Sequence, residues 1–239
     1  MKYIYGPVKS RRLGLSLGIS LVPYKMCNLD CIYCQLGPTA KRTLKRKQYI
    51  KIKDIISELS EFINSADFKN MNIDYISLSG TGEPLLNSKI DVLIDEIKKL
   101  STIPIALITN ASLFKEKRIR DSILGVDLIM PSLDAIDNET FKAIDRPAKG
   151  LCIEDIIKGL VNLRNEFGGK IFLEIMIVKG VNDNLSYFQE FKHVIARIDP
   201  DKVHLNVPKR HTSEAGVSVP DREVLKKICK ILGDKCEII

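Results

Sequence analysis

Histidine is scarce in this chain: three in 239 residues, and none before His193. A zinc site of mixed cysteine and histidine ligands near the N-terminus has no imidazole to draw on. Long hydrophobic runs are also missing. No apolar stretch approaches the roughly 20 residues that span a bilayer, and Lys2 and the Gly6-Pro7 turn precede any apolar run, unlike a secretory signal. The expectation is a soluble, cytoplasmic protein with no membrane partner. No low-complexity stretch or linker interrupts the sequence. With 45% hydrophobic residues the chain has enough for one domain with a sizeable core. That domain is expected over 1–239, with an N-terminal extension over 1–17, a core barrel over 18–208, and a C-terminal helix and tail over 209–239. Carboxylates, finally, are absent from Cys31 to Lys53, in a chain of net charge +7. The same window holds Lys41, Arg42, Lys45, Arg46, Lys47, Lys51 and Lys53. Such a run suits a phosphate-bearing substrate, including RNA. It equally suits a solvated loop, because Tyr49 is the one aromatic interleaved with it.

What is present is cysteine in a pattern. Of six cysteines, Cys27, Cys31 and Cys34 stand in one short loop at C-x3-C-x2-C spacing. Soft thiolates suit iron–sulfur clusters. Three of them hold three corners of a cube and leave one iron open, as a reactive cluster requires. Two other readings stay open: a structural zinc with a distant fourth ligand, and a disulfide with one thiol left over. Tyr33, just before the last cysteine, offers a flat ring to pack on a bound ligand and screen it from water. Cys152, Cys229 and Cys236 lack tight spacing and read as buried structural thiols.

Around this loop, strands and helices alternate. Strands are expected over 18–24, 75–79, 105–110, 127–133, 171–178 and 203–207. Helices are expected over 52–63, 88–100, 112–124, 187–198 and 221–232, with a broken helical region over 138–167 and a short strand or frayed end at 236–239. Six strand–helix units with short connections imply a parallel sheet with right-handed crossovers. The fold class is α/β, an open, partial (β/α)6 barrel of the TIM type. Residues at the C-terminal strand ends converge on one mouth in such a barrel. They are the three cysteines; Gly80, Thr81, Gly82 and Glu83; Thr109 and Asn110; Ser132 and Asp134; Glu174 and Met176; and Asn206. The glycines allow close backbone approach to a ligand. Pro84 holds Glu83 extended, so backbone carbonyls and the Glu83 carboxylate can accept from a substrate ammonium. Asn110 serves either as a site residue or as a helix cap. Glu174, among apolar neighbours in Phe172-Leu173-Glu174-Ile175-Met176, must be paired if it points inward; a ribose diol, a basic side chain or a cross-strand salt bridge would each do so. His193 reads as surface, His204 as facing either barrel or helices, and His211 as a weak substrate contact.

The cysteine loop with its aromatic, followed by Gly80-Thr81-Gly82-Glu83-Pro84, resembles the radical S-adenosylmethionine (SAM) enzymes. A threonine here separates the glycines of that family's second motif. Gly6-Pro7-Val8-Lys9-Ser10-Arg11-Arg12-Leu13-Gly14 and Cys34-Gln35-Leu36-Gly37 resemble a group of archaeal and bacterial members loosely related to the wyosine-forming tRNA enzymes. The resemblance implies a 4Fe–4S cluster on Cys27, Cys31 and Cys34, with SAM on the open iron. A reductant such as flavodoxin or ferredoxin supplies one electron, and a 5′-deoxyadenosyl radical abstracts hydrogen from a substrate. Ser132 and Asp134 become candidates for the ribose hydroxyls. Arg146 is either a partner of the methionine carboxylate or a helix-stop residue. RNA is the first substrate expectation and a small molecule or peptide the second. A non-catalytic iron–sulfur or zinc protein is the alternative of another class.

Overall fold

The structure is a computed structural model describing residues 1–69, 71–209 and 211–239, without the side chains of Asp67 and Lys69. One eight-stranded sheet runs through it in chain order: β1 (Ile4–Ser10), β2 (Gly14–Ser20), β3 (Tyr75–Ser79), β4 (Ile105–Thr109), β5 (Leu128–Pro131), β6 (Lys170–Met176), β7 (Lys202–Asn206) and β8 (Cys236–Ile238). Only β1 is antiparallel to its neighbour; β2 to β8 are parallel throughout. The helices are α1 (Ile52–Ile63), α2 (Ala66–Lys69), α3 (Ile90–Leu100), α4 (Lys117–Asp121), α5 (Asn138–Ile144), α6 (Ile153–Glu166), α7 (Leu185–Ile198) and α8 (Arg222–Leu232). Each of β2 to β7 is followed by helix before the next strand, which gives the expected six units, with β8 as a seventh parallel strand. None of the described helices is long and apolar enough to cross a membrane.

Helical spacing of apolar residues explains the outer layer. In α3, Ile90, Leu93, Ile94 and Ile97 fall on one face and all are buried. Two elements differ from the expectation. The helix expected over 112–124 shrinks to α4, because Ala111 takes a left-handed turn (φ 57°) and Ser112 is tied back to Asn110 Oδ1. The first strand lies at Gly14–Ser20 rather than 18–24, and it pairs with a strand formed by the supposed extension. Gly14 makes the tight turn at φ 64°. At Gly18 a Cβ would fall 2.0 Å from the Tyr5 ring, so glycine is what lets that ring lie across β2.

The tip of this β1–β2 hairpin plugs the barrel. Leu13 is 3% exposed and packs with Ala106, Leu128 and Met130 in a cluster separate from the main core. Ser10 Oγ fixes the tip by accepting the N–H groups of Arg12 and Leu13, each at 3.2 Å. Leu13→Ala should cost roughly 2 to 5 kcal/mol of stability, measured by urea denaturation.

Candidate active site

The cysteine loop begins seven residues after β2 and is fastened to the loop after β3 mainly through backbone. Lys25 N–H donates to Thr81 O at 2.6 Å and Glu83 N–H to Met26 O at 3.0 Å. At Gly82 a Cβ would fall 2.0 Å from the Met26 carbonyl oxygen, and at Gly80 (φ 105°) 2.4 Å from Ser20 Oγ. The close approach that demands these glycines is therefore that of the cysteine loop and its strand. Thr81 Oγ1 adds a bond to Val22 O at 2.6 Å.

Glu83 occupies a different place from the one expected. It is 2% exposed, and its carboxylate accepts from Leu85 N–H (3.0 Å), Thr109 Oγ1 (2.7 Å) and Asn110 N–H (2.9 Å). The acid joins the end of β3 to the end of β4 rather than facing a ligand ammonium. Asn110 passes the connection on. Its Nδ2 donates to Asn28 Oδ1 at 2.8 Å and lies 3.6 Å from Cys27 Sγ. Asn28, fully buried, donates in turn to Ser112 Oγ at 2.7 Å.

The thiols sit among N–H groups, a cation and carboxylates. Leu29 N–H points at Cys27 Sγ (3.4 Å), and Lys25 Nζ lies 2.7 Å from Cys34 Sγ. Cys31 Sγ donates to Asp145 Oδ1 at 3.1 Å. Burial, with Glu83 nearby, pushes the Cys27 thiol up to about 12, and burial beside Asp145 pushes Cys31 well above its usual value. Thiols so placed would ionise on binding a cation, so loading a metal group here would be coupled to proton release. A single zinc needs donors within about 4 Å of each other, given Zn–S bonds of about 2.3 Å. Among the described residues, no group of three or more His, Cys, Asp or Glu is arranged to hold one ion. A cube takes one thiolate per iron and asks for no such convergence; three thiols on one loop fit it. All six cysteines are free, which removes the disulfide reading. Cys152, Cys229 and Cys236 are half-buried rather than buried, and Cys229 Sγ donates to Cys236 O at 3.1 Å.

Beside the loop opens a cavity of about 730 Å³ inside the barrel. Tyr33, Gly80, Thr81, Ser132, Asp134, Glu174, Met176 and Asn206 all line it; Gly82, Glu83 and Asn110 do not. Tyr33 donates its hydroxyl to Asp134 Oδ2, and Met176 N–H donates to Oδ1 at 2.7 Å, so both carboxylate oxygens expected to meet a ribose are engaged. Burial lifts Asp134 to about 6; burial and Asp134 together raise Asp145 well above the usual carboxylate range. Burial and the same two carboxylates drive Tyr33 well above its usual value. Glu174 meets a basic side chain, since Arg12 of the hairpin tip bonds both its oxygens. His204 Nδ1 on the adjacent strand stands 3.7 Å away. Burial alone would raise Glu174, but His204 and Arg12 outweigh it and hold the acid below its usual value.

Other candidates fall outside the cavity. Arg146 pairs with Glu214 at 2.5 Å and adopts φ 45° just past α5, as a helix-stop residue does. His193 and His211 are exposed. The basic window is partly structural. Arg42 Nη1 donates to Arg146 O at 2.7 Å, and Arg46 Nε to Leu85 O at 2.6 Å. Lys25, Asn28, Asp145 and Arg12 were not singled out from sequence. Two had a local signal: Asn28 lies inside the cysteine loop, and Arg12 lies in the 6–14 stretch, where no role was assigned to it.

The family comparison agrees with this arrangement. The Radical SAM superfamily profile matches residues 21–191. The chain belongs to that superfamily. Radical SAM enzymes use a 4Fe–4S cluster and SAM and draw on a one-electron reductant. Among curated relatives, a UPF0026 protein from Methanocaldococcus jannaschii is 34% identical over 98% of this chain and 72% of its own length. A protein named GTPase Obg from Brachyspira hyodysenteriae is 38% identical over 99% of this chain, which spans only 34% of that protein. Among solved structures, a radical SAM methyltransferase from Sphaerobacter thermophilus aligns with TM-score 0.73 at 17% identity, over 94% of this chain and 65% of that one. TYW1 with a lysine–pyruvate adduct bound aligns with TM-score 0.67 at 19% identity, over 91% and 72%. At such identities these two structures speak to the fold, a partial TIM-type barrel.

A pH prediction follows for this radical SAM chain. Burial raises Glu83 from 4.5 to about 7 in the folded protein. The native state then holds a proton that the unfolded chain releases, so stability falls as pH rises from about 4.5 to about 7, by at most about 1.4 kcal/mol per unit from this group. Glu83→Gln should flatten that slope, read by urea denaturation across the range.

Proposed function

We propose that this chain holds a 4Fe–4S cluster on Cys27, Cys31 and Cys34 and binds SAM over the barrel mouth, to abstract hydrogen from a small molecule held in the barrel cavity. When bound, the cluster and SAM supply one-electron cleavage to a 5′-deoxyadenosyl radical. The observation that carries the reading is the placement of the cysteine loop beside the cavity, with Tyr33, Gly80, Thr81, Ser132, Asp134, Glu174 and Asn206 on the cavity wall. In this reading the chain's own groups position and shield. The Asn28–Asn110–Ser112 network and the Gly82 contact set the loop's height above the cavity. Lys25 offsets thiolate charge at Cys34. Tyr33, pinned by Asp134, keeps its ring at the mouth. The Leu13 plug and the barrel wall keep water from a reactive radical. The backbone of Gly80 and Thr81, which line the cavity, is the partner for the methionine end of SAM, since Glu83 is otherwise engaged and Gly82 lies against Met26. Flavodoxin or ferredoxin is the proposed electron donor, and the cytoplasm the proposed compartment.

Anaerobically purified protein should be brown, and with dithionite and SAM it should release 5′-deoxyadenosine. Cys27→Ala, Cys31→Ala and Cys34→Ala should each be colourless and inactive. A colourless wild type that binds no iron after reconstitution refutes the proposal.

RNA is the second reading, favoured by exposed Lys41, Lys45 and Lys47 just beyond the cysteine loop. If it holds, replacing these three by Glu weakens tRNA binding, and the slope of log affinity against log salt falls by up to about 2 to 3, at about 0.7 to 0.9 per phosphate contact. Filter binding without any salt-dependent retention by wild type excludes RNA.

A further inference from the structure

We infer that the barrel cavity contains an oxyanion subsite built on Arg12, and hence that the substrate is a small molecule bearing a carboxylate or phosphate. This rests on the proposed function above and names the substrate class of the same site.

Arg12 lies at the hairpin tip, next to the Leu13 plug, and lines the cavity. Its Nη1 alone serves both oxygens of Glu174. Nε and Nη2 carry no hydrogen bond among the described residues, so the guanidinium is held by one nitrogen and its Nε–Nη2 edge has donors left over. An arginine fixed in this manner offers a preorganised fork, the geometry that matches carboxylate and phosphate oxygens. Glu174 is 6% exposed, with His204 Nδ1 3.7 Å away on the next strand, so the acid that holds Arg12 is itself fixed in the wall.

The charges around it agree. Lys2, Arg11, Arg12 and Lys209 line the cavity against two carboxylates, Asp134 and Glu174. Both acids are already bonded, to Tyr33 and Met176 in one case and to Arg12 in the other. Arg12 is offset by Glu174 and Lys209 Nζ donates to Ile239 O at 3.0 Å, yet four cations still face two acids, so the surplus is positive, and a low-dielectric wall strengthens it. Ser16 and Ser77 on the cavity wall, bonded to each other at 3.0 Å, add hydroxyls for the body of such a molecule.

Position sets its size. Glu174 lies two residues before Met176, roughly 7 Å along the strand at about 3.3 Å per residue. Met176 N–H anchors Asp134 at the mouth. An oxyanion on Arg12 thus leaves room for a few bonds between the anionic end and the carbon that meets the radical.

The test is isothermal titration of the full, cluster-loaded protein with inorganic phosphate and, separately, with malonate. Wild type should bind at least one, and Arg12→Gln should weaken that binding by about tenfold or more, with Arg12→Lys intermediate. Preference for phosphate assigns a phosphorylated substrate; preference for malonate assigns a carboxylic one. No binding of either anion by wild type, or equal binding by wild type and Arg12→Gln, overturns the inference. Should Arg12→Gln fail to fold, phenylglyoxal labelling of wild type decides: the anion must protect Arg12, and unprotected labelling overturns the subsite. SAM titrated into the same preparation reports separately. Phosphate or malonate bound through Arg12 with no SAM binding leaves the subsite standing and sinks the functional reading.

Discussion

The site depends on one backbone contact. Gly82 lies against the Met26 carbonyl with no room for a side chain, and through that contact the loop carrying the cysteines is pressed onto the end of the parallel sheet. Two main-chain hydrogen bonds run alongside it. Main-chain fastening leaves the side chains of the loop available for other work: Cys27, Cys31 and Cys34 as the ligands proposed above, Tyr33 on the cavity wall and Asn28 as a strut. The buried Glu83 then extends the same joint to β4, and Asn110 returns it to the underside of Cys27. A glycine, an acid and an amide thus make a closed circuit around the cysteine loop.

A second joint closes the opposite end of the cavity. The β1–β2 hairpin inserts Leu13 among inward-facing residues of β4 and β5, while its neighbour Arg12 reaches β6. An open sheet has no intrinsic floor, and here an apolar plug and an ion pair supply one. Burying an acid such as Glu174 is costly unless it is paired; Arg12 and His204 answer that cost and keep it ionised. The cavity is therefore polar on its walls without carrying a bare charge from an unpaired acid.

Much of this was legible in the sequence, and the reason is local. Period-two runs such as Tyr75–Ser79 and the one-sided apolar face of α3 are determined by neighbours in the chain, and both match the structure. The strand ends followed from them, so the cavity-lining set was largely readable. The hairpin was not. Its strands carry Gly6-Pro7, Gly14 and Gly18, residues that signal turns, and only the ring of Tyr5 lying on Gly18 shows why a strand tolerates that glycine. Arg12 and Asp145 escaped for another reason: their partners, Glu174 and Cys31, lie 162 and 114 residues away. Nothing in a local pattern marks such a pairing. Glu83 was found but assigned to a ligand, because its three donors come from backbone and a threonine whose arrangement appears only in three dimensions.

Strand order along the sheet is the order of the chain. Each strand therefore pairs with one adjacent in chain order, so its partner always precedes it in synthesis and the sheet needs no pairing that skips a strand. The bond from Arg12 to Glu174 is an exception, and it forms only after six strands have emerged. Until Glu174 is present the hairpin tip lacks its ion pair, although the β4 and β5 residues that receive Leu13 come earlier in the chain, so the apolar stopper and its ionic latch draw on different stretches of sequence.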